Sequence, residues 1–182
     1  MKWLKYVMGF IVVIALCTVV WFELTTKKEV NQLEEKVIIL EDQIGNHYRS
    51  DLYLWEDAAE QLLTYDFSQP ITDENNNEIF KISRLFYTAS ENLFFRLGTE
   101  SIHPELYSKL SNVDRYFITY FDEGSLKEEQ VADLYQVLHA VRFIAKDING
   151  LTVYDTQALY NAMHNEEHEI VERIKYRLSI EY

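Results

Sequence analysis

The stretch "VADLYQVLHAVRFIAKDI", residues 131–148, decides the fold class. Its apolar residues recur at spacings of three and four, which is the period of an α-helix with one buried face. Such a helix must bury that face against other secondary structure. The stripe consists of Val131, Leu134, Leu138, Val141, Ala145 and Ile148.

The same period occurs on both sides of this helix. It predicts helices that end near Tyr65, Gly98 and Gly124. Pro104 suits the first turn of another helix, and the last helix runs from about Asp155 to the C-terminus. With only 5 Gly and 2 Pro and no alternating segment, the chain is predicted to be all-α. The apolar faces meet most simply in a four- or five-helix bundle, over residues 47–182.

Short sequence motifs predict where one helix of this bundle begins and where a loop lies. "SLKE", residues 125–128, predicts a capping box in which Ser125 is the N-cap and Glu128 reaches back. "DFSQPITDENNNE", residues 66–78, is predicted to be a polar loop. Its Asp and Asn residues start at EF-hand spacing, but the glycine and the final glutamate of a calcium loop are missing.

The N-terminus carries a charge-free stretch from Tyr6 to Phe22, "YVMGFIVVIALCTVVWF". Its 17 residues make about 26 Å of helix, near the thickness of a bilayer core. Tryptophan at both edges fits the aromatic belts of a membrane helix. A cleaved signal peptide is the alternative, but no small-residue cleavage site follows. Residues 1–23 are therefore predicted to be a transmembrane signal anchor.

The orientation of this anchor follows from its flanks. Lys2 and Lys5 precede the span and Lys27, Lys28 and Lys36 follow it, so the count of basic residues is close to a tie. The short basic tail precedes the span, whereas all 30 acidic residues follow it. This favours a cytoplasmic N-terminus and an extracytoplasmic C-terminal domain in a single-pass protein of the cell membrane. The part after the span has 15 basic residues against those 30 acidic ones, so it repels nucleic acid. Cys17 is the single cysteine, which excludes a disulfide within one chain.

Residues 24–46 are predicted to be a coiled-coil stalk. Apolar residues at spacings of 3, 4, 3 and 4 form a seam of about two heptads, which predicts a parallel homodimer. Packing of this face on the chain's own domain is the other interpretation. Gly45-Asn46 is predicted to interrupt or bend the helix. The seam consists of Val30, Leu33, Val37, Leu40 and Ile44.

The stretch "HNEEH", residues 164–168, resembles the H-x-x-E-H signature of the inverted zincin metalloproteases over these five residues only. Two histidines four apart on one helix can share a metal, with Glu167 between them as base. The candidate metal group is thus His164, Glu167 and His168. On the predicted helix, however, both histidines point towards solvent or the bundle edge and Glu167 lies closer to the core. A solvated helix surface is the favoured interpretation, and no cofactor is predicted.

These features favour a membrane-anchored helical module that binds a protein partner, as a scaffold or accessory subunit, without catalytic activity of its own. Two alternatives stay open. One is a metal-dependent hydrolase built on the HNEEH motif. The other is a ligand-sensing bundle in which some of the 13 Tyr and 10 Phe line a cleft.

Overall fold

The computed structural model describes residues 2–95, 101–151 and 155–182, and side chains from Thr18 onward except those of residues 19 and 95. Within these ranges it contains helices and no strand, which confirms the all-helical prediction. A short π-helical segment, Glu91–Phe95, follows the second of six α-helices. The α-helices are α1 (Lys2–Leu62), α2 (Asp73–Ser90), α3 (Pro104–Glu123), α4 (Glu128–Leu151), α5 (Thr156–His164) and α6 (Glu169–Ser179).

The chain divides into two compact units, Met1–Leu40 and Glu41–Tyr182. The first is helical throughout its described residues. Among the described residues, no helix has the length and apolarity to cross a membrane. Most of the predicted span, residues 6–17, lies outside the described side chains.

Exposure along the predicted stalk is uneven. Val30, Leu33, Val37 and Leu40 are 45–61% exposed in the single chain. Ile44, the fifth residue of the predicted seam, is half-buried and packs against the core of the second unit. The seam available on α1 therefore ends at Leu40.

The second unit is a helical bundle in which α4 contacts α3, α5 and α6. Five of the six residues of the predicted α4 stripe are buried, and Val131 packs half-buried against the same core. Burial of one such aliphatic side chain stabilises the fold by about 1.5–3 kcal/mol. The apolar residues that recur every three or four positions in residues 131–148 thus form the face by which α4 packs against the other helices.

Some helix ends follow the local sequence and others do not. Pro104 begins α3, and Gly124 ends it in the left-handed conformation with φ 84°, as predicted. The predicted cap at Ser125 is wrong, because α4 begins at Glu128. The Lys127 amide instead donates to the Gln130 side chain at 3.0 Å, so the observed cap lies two residues after the predicted one at Ser125. The predicted helix end at Gly98 lies outside the described residues.

The predicted 66–78 loop is shorter than expected. Residues 73–78 form the first turns of α2, because Thr72 and Asn75 cap them reciprocally. The Thr72 amide donates to Asn75 Oδ1 at 3.0 Å, and the Asn75 amide donates back to Thr72 Oγ1 at 3.4 Å. The EF-hand-like spacing therefore falls on a helix and does not form a calcium loop.

Two loops meet at one edge of the bundle. The Ile71 amide donates to the Gly124 carbonyl at 2.7 Å, and the Leu126 amide donates to the Phe67 carbonyl at 2.9 Å. Phe67 is fully buried and meets the Tyr120 ring edge-on at 5.1 Å. The α1–α2 and α3–α4 loops thereby support each other and satisfy their backbone groups.

Gly45 lies inside α1, which continues past it, so the predicted interruption is wrong. The glycine serves a close approach of two backbones. A Cβ at this position would lie 2.7 Å from the Thr156 carbonyl carbon and 2.9 Å from its Cβ. The Thr156 hydroxyl also donates to Asp42. The first turn of α5 is thus seated directly on the α1 backbone.

Trp55 is the largest fully buried side chain among those that the structure describes. Its indole Nε1 donates to Ser90 Oγ at 2.8 Å, and that hydroxyl donates to the Phe86 carbonyl at 2.8 Å. The rings of Phe86 and Phe94 lie 6.2 and 5.1 Å from the indole. The single polar atom of the indole is therefore satisfied inside an aromatic cluster.

An ion pair joins α6 to α4. The Arg177 guanidinium donates Nε and Nη2 to the two Asp147 carboxylate oxygens at 2.7 and 3.0 Å. The same guanidinium lies 5.1 Å from the centre of the Phe143 ring, on which Tyr182 stacks at 5.2 Å. The hydrogen bonds to Asp147 raise the pKa of Arg177. Bidentate geometry and ring stacking make this pair specific for arginine.

Candidate functional site

An open groove between α2 and α3 is the candidate functional site. It has a volume of about 530 Å³. One wall is a row along α2 at spacings of three and four, and the other is the facing side of α3. The lining residues are Phe80, Ser83, Arg84, Tyr87, Thr88 and Glu91 on the first wall, with Asp114, Phe117, Ile118 and Phe121 on the second.

The floor of this groove is aromatic and its rim is exposed. Phe117 is buried beneath it and packs edge-on against Phe86 at 6.5 Å. Phe80 and Phe121 form one end, with their rings 5.5 Å apart at 74°. Phe80 is nonetheless 47% exposed, and Ile118 is 54% exposed. Such a patch has apolar surface available to a ligand without any rearrangement.

Three charged residues line the groove: Arg84, Glu91 and Asp114. Glu91 has an interaction partner, and the other two are opposite in charge. Arg84 is exposed on α2, and Asp114 is half-buried on α3. Neither makes an ion pair or hydrogen bond with another described residue. Burial raises the pKa of Asp114, since no cation offsets its lost hydration. A ligand that brings a cation to Asp114 gains an interaction that the free protein lacks.

The HNEEH motif does not lie on one helix. α5 ends at His164, and α6 begins at Glu169 after a turn. His168 is the N-cap of α6 and accepts the Ile170 amide on Nδ1 at 3.2 Å. The prediction of one continuous last helix is therefore wrong, and the shared helical face that the metal hypothesis requires is absent.

His164 is held by aromatic neighbours. Its Nδ1 lies 2.9 Å from the Tyr160 carbonyl, which can only accept, so this nitrogen carries the proton. Its Nε2 is then the acceptor for the Tyr48 hydroxyl at 3.3 Å. The ring also stacks on Tyr160 at 4.2 Å, and burial raises the pKa of Tyr48. Both nitrogens of His164 are thus engaged within the protein.

The other two motif residues are placed differently. Glu167 is exposed, so the expected position near the core is wrong, and His168 is half-buried. In the described part of the chain, no three His, Cys, Asp or Glu residues stand close enough together to hold a metal ion.

His103 is the one buried histidine of the described residues, 3% exposed. Its ring meets Phe94 at 90° and 5.8 Å. Neither ring nitrogen has a hydrogen-bond partner among the described groups. Burial, with a smaller effect of the Lys175 charge, lowers the pKa of His103 to about 4. The imidazole is therefore neutral at pH 7.

The sequence carried a weak signal for the groove. Phe80, Tyr87 and Ile118 are large apolar or aromatic residues that lie beside, and not within, the core stripes of their helices. Residues of this kind remain without a predicted role once the buried face of each helix has been assigned.

No family model matches the chain, and neither a curated protein nor a solved structure does.

Proposed function

We propose that the protein is a membrane-anchored helical adaptor, without catalytic activity of its own, that docks an amphipathic helix of another protein. The docking site is the α2–α3 groove. The observation that carries this proposal is the uncovered apolar surface there, with Phe80 and Ile118 about half exposed. Exposed apolar patches with polar rims are typical of binding surfaces.

The shape of the groove favours a helix as its occupant. Its first wall runs along α2 from Phe80 and ends at Glu91, the first residue of the π-helical segment, which is about 16 Å or three helical turns. A groove between two helices accepts the apolar face of a third, whose anchors recur at i, i+4 and i+7. Phe117 supplies the floor for these anchors.

Charge favours a cationic partner. The chain has a net charge of −13. Asp114 adds a carboxylate inside the groove that no described residue pairs. A lysine or arginine on the docked helix would meet Asp114, and the wider acidic surface would speed its approach.

Site-specific photocross-linking tests the docking site. A photoreactive phenylalanine replaces Tyr87 in the groove or Tyr53, an equally large and 56% exposed residue on α1 that does not line it. We expect a discrete protein adduct from position 87 only. Mass spectrometry should map it to an amphipathic helix with basic residues.

A direct measurement completes this test. The mapped partner helix, made as a peptide, should bind the purified protein, and Ile118→Glu should weaken binding about tenfold or more because it places a carboxylate in the apolar contact. Equal adducts at positions 53 and 87, or unchanged binding by the variant, would reject the groove as the docking site.

A small zwitterionic ligand is the second candidate, which would make the bundle a sensor. It is favoured because about 530 Å³ falls within the ~300–1,000 Å³ of small-molecule sites. Arg84 and Asp114 would take its two charges. Native mass spectrometry of protein purified from its source distinguishes the cases, since a bound small molecule adds a fixed mass that Arg84→Gln should remove.

The anchor is part of the same proposal. Residues 1–23 would span the membrane, with the N-terminus in the cytoplasm and the bundle outside. Support comes from the charge-free stretch Tyr6 to Phe22 and from its exposed end, where Val20, Trp21 and Phe22 are 54–70% exposed. A helix that is apolar on all sides is typical of a membrane or a core.

Protease protection tests the anchor and its orientation. The chain receives a C-terminal tag, and intact cells without their outer wall are treated with protease. Loss of the tag while a cytosolic control survives supports an extracytoplasmic bundle. Survival of the tag until lysis would reverse the orientation. Release of the protein from membranes by alkaline carbonate would reject the span.

A further inference from the structure

Four apolar residues of the predicted seam on α1 are exposed in the described part of the chain. Val30, Leu33, Val37 and Leu40 follow one another at spacings of 3, 4 and 3, and all are at least 45% exposed. Apolar side chains in a row on a helix are stabilised by burial against a matching surface. The four lie on one narrow face, which a second helix would fit, and Ile38 and Ile39 are exposed beside it at 59% and 50%.

The residue types on this face identify the helix. Valine occupies both a positions, 30 and 37, and leucine occupies both d positions, 33 and 40. β-branched residues at a with leucine at d favour two parallel strands. We infer that the seam is covered by a second copy of this chain, parallel and in register, as a two-stranded coiled coil.

The flanking charges tune this dimer. In a parallel pair, each g residue faces the e residue five positions later on the other strand. Lys36 at g then meets Glu41 of the second copy, and Glu29 meets Glu34 of the second copy. The Lys36–Glu41 contact is attractive and the Glu29–Glu34 contact is repulsive. The apolar residues of the seam therefore supply the net affinity of the dimer. Glu34→Lys would turn the repulsive contact into an attractive one.

The structure also sets the length of the contact. Ile44, the next a residue, already packs against the bundle core, so the seam ends at Leu40. Under two heptads associate weakly in solution. Two chains held in one membrane meet at a much higher effective concentration. This strength, though not the seam itself, rests on the proposed anchor.

Disulfide trapping tests the pairing in the full chain in its membrane. Cys17→Ser removes the native thiol, and Leu33→Cys or Glu35→Cys adds one at a d or an f position. An in-register parallel pair brings the two position-33 thiols together at the axis and keeps the two position-35 thiols apart. Under a mild oxidant we expect a cross-linked dimer from Leu33→Cys, at least several-fold above Glu35→Cys.

Three results would overturn the inference. Equal cross-linking at both positions would mean random collision. No dimer from Leu33→Cys would mean that no second copy covers the seam. A disulfide between Leu33→Cys and Val37→Cys chains, without one between two Leu33→Cys chains, would mean an antiparallel pair.

Two further variants test the energetics without altering the bundle, which begins at Glu41. In the Leu33→Cys background, Glu34→Lys should raise the dimer yield and Val37→Asp should lower it about tenfold. No response to either would also reject the seam. Carbonate extraction of the same samples reports the anchor separately, so a failed anchor is not mistaken for a failed dimer.

Discussion

Gly45 and Gly150 are both helical, yet their surroundings are opposite. A Cβ at Gly45 would collide with the Thr156 backbone, whereas a Cβ at Gly150 would meet no atom of the described residues within 4 Å. We expect Gly45→Ala to lower the free energy of unfolding by about 1–3 kcal/mol, because α5 must move. Gly150→Ala should raise it by about 0.5 kcal/mol. Urea denaturation of both variants checks this pair, and equal stabilities would contradict it.

At the same scale, His103 gives the fold a defined response to acid. Its pKa is about 4 in the folded state against 6.5 ordinarily, so only the unfolded chain binds a proton between these values. Stability should therefore be insensitive to this group above pH 6.5 and fall as the pH drops from 6.5 towards 4. The expected loss is about 2 kcal/mol by pH 4.5.

Urea denaturation at pH 7 and pH 4.5 measures this loss. The carboxylates titrate in the same range, so the His103→Leu variant is the reference. Between pH 7 and pH 4.5, the free energy of unfolding of this variant should fall by about 2 kcal/mol less than that of the wild type. A variant with the same pH dependence as the wild type would show that His103 does not respond as expected.

Among the elements, α4 and α6 are joined by the Arg177–Asp147 pair. We expect Arg177→Lys to cost about 1–2 kcal/mol, because lysine cannot form the bidentate contact or stack on Phe143. Arg173→Lys on the same helix is the control, since the Arg173–Glu169 contact is exposed and 3.5 Å long. It should cost less than about 0.5 kcal/mol. Thermal unfolding of the two variants compares them, and similar losses would contradict the assignment.

The helices themselves could be predicted from the sequence, and some of their ends could not. Gly124 and Pro104 act through their own backbone preferences, so local sequence was sufficient there. The break before α6 was hidden, because Met163 and Ile170 both bury against the core and keep the apolar stripe continuous. Histidine is also an unusual N-cap, so His168 did not indicate that a new helix begins after it.

The groove was beyond sequence reasoning for a different reason. Phe80 and Ile118 are ordinary apolar residues, and periodicity assigns them to the edge of a stripe. Whether such an edge is covered depends on how far α2 and α3 stand apart, which packing in three dimensions decides. The abundance of aromatic residues predicted a cleft as one alternative, without its location.

For the whole molecule, the division at Leu40 has a direct consequence. The buried apolar residues of the described chain begin at Tyr48. We therefore expect residues 41–182 to fold alone and to unfold at the same urea concentration as the full chain. Circular dichroism during urea titration checks this. A fragment with a lower midpoint would mean that residues 1–40 contribute to the core.

The buried indole of Trp55 provides an optical reporter of that fragment. The chain has three tryptophans, and Trp3 and Trp21 both precede residue 41, so Trp55 is the single fluorophore of its kind in residues 41–182. Its surroundings are aromatic and dry, and its nitrogen is bound to Ser90. Emission should be blue-shifted in the native fragment and move to longer wavelength as water reaches the ring. Light emitted by one native residue can thus follow the opening of the bundle core without any added dye.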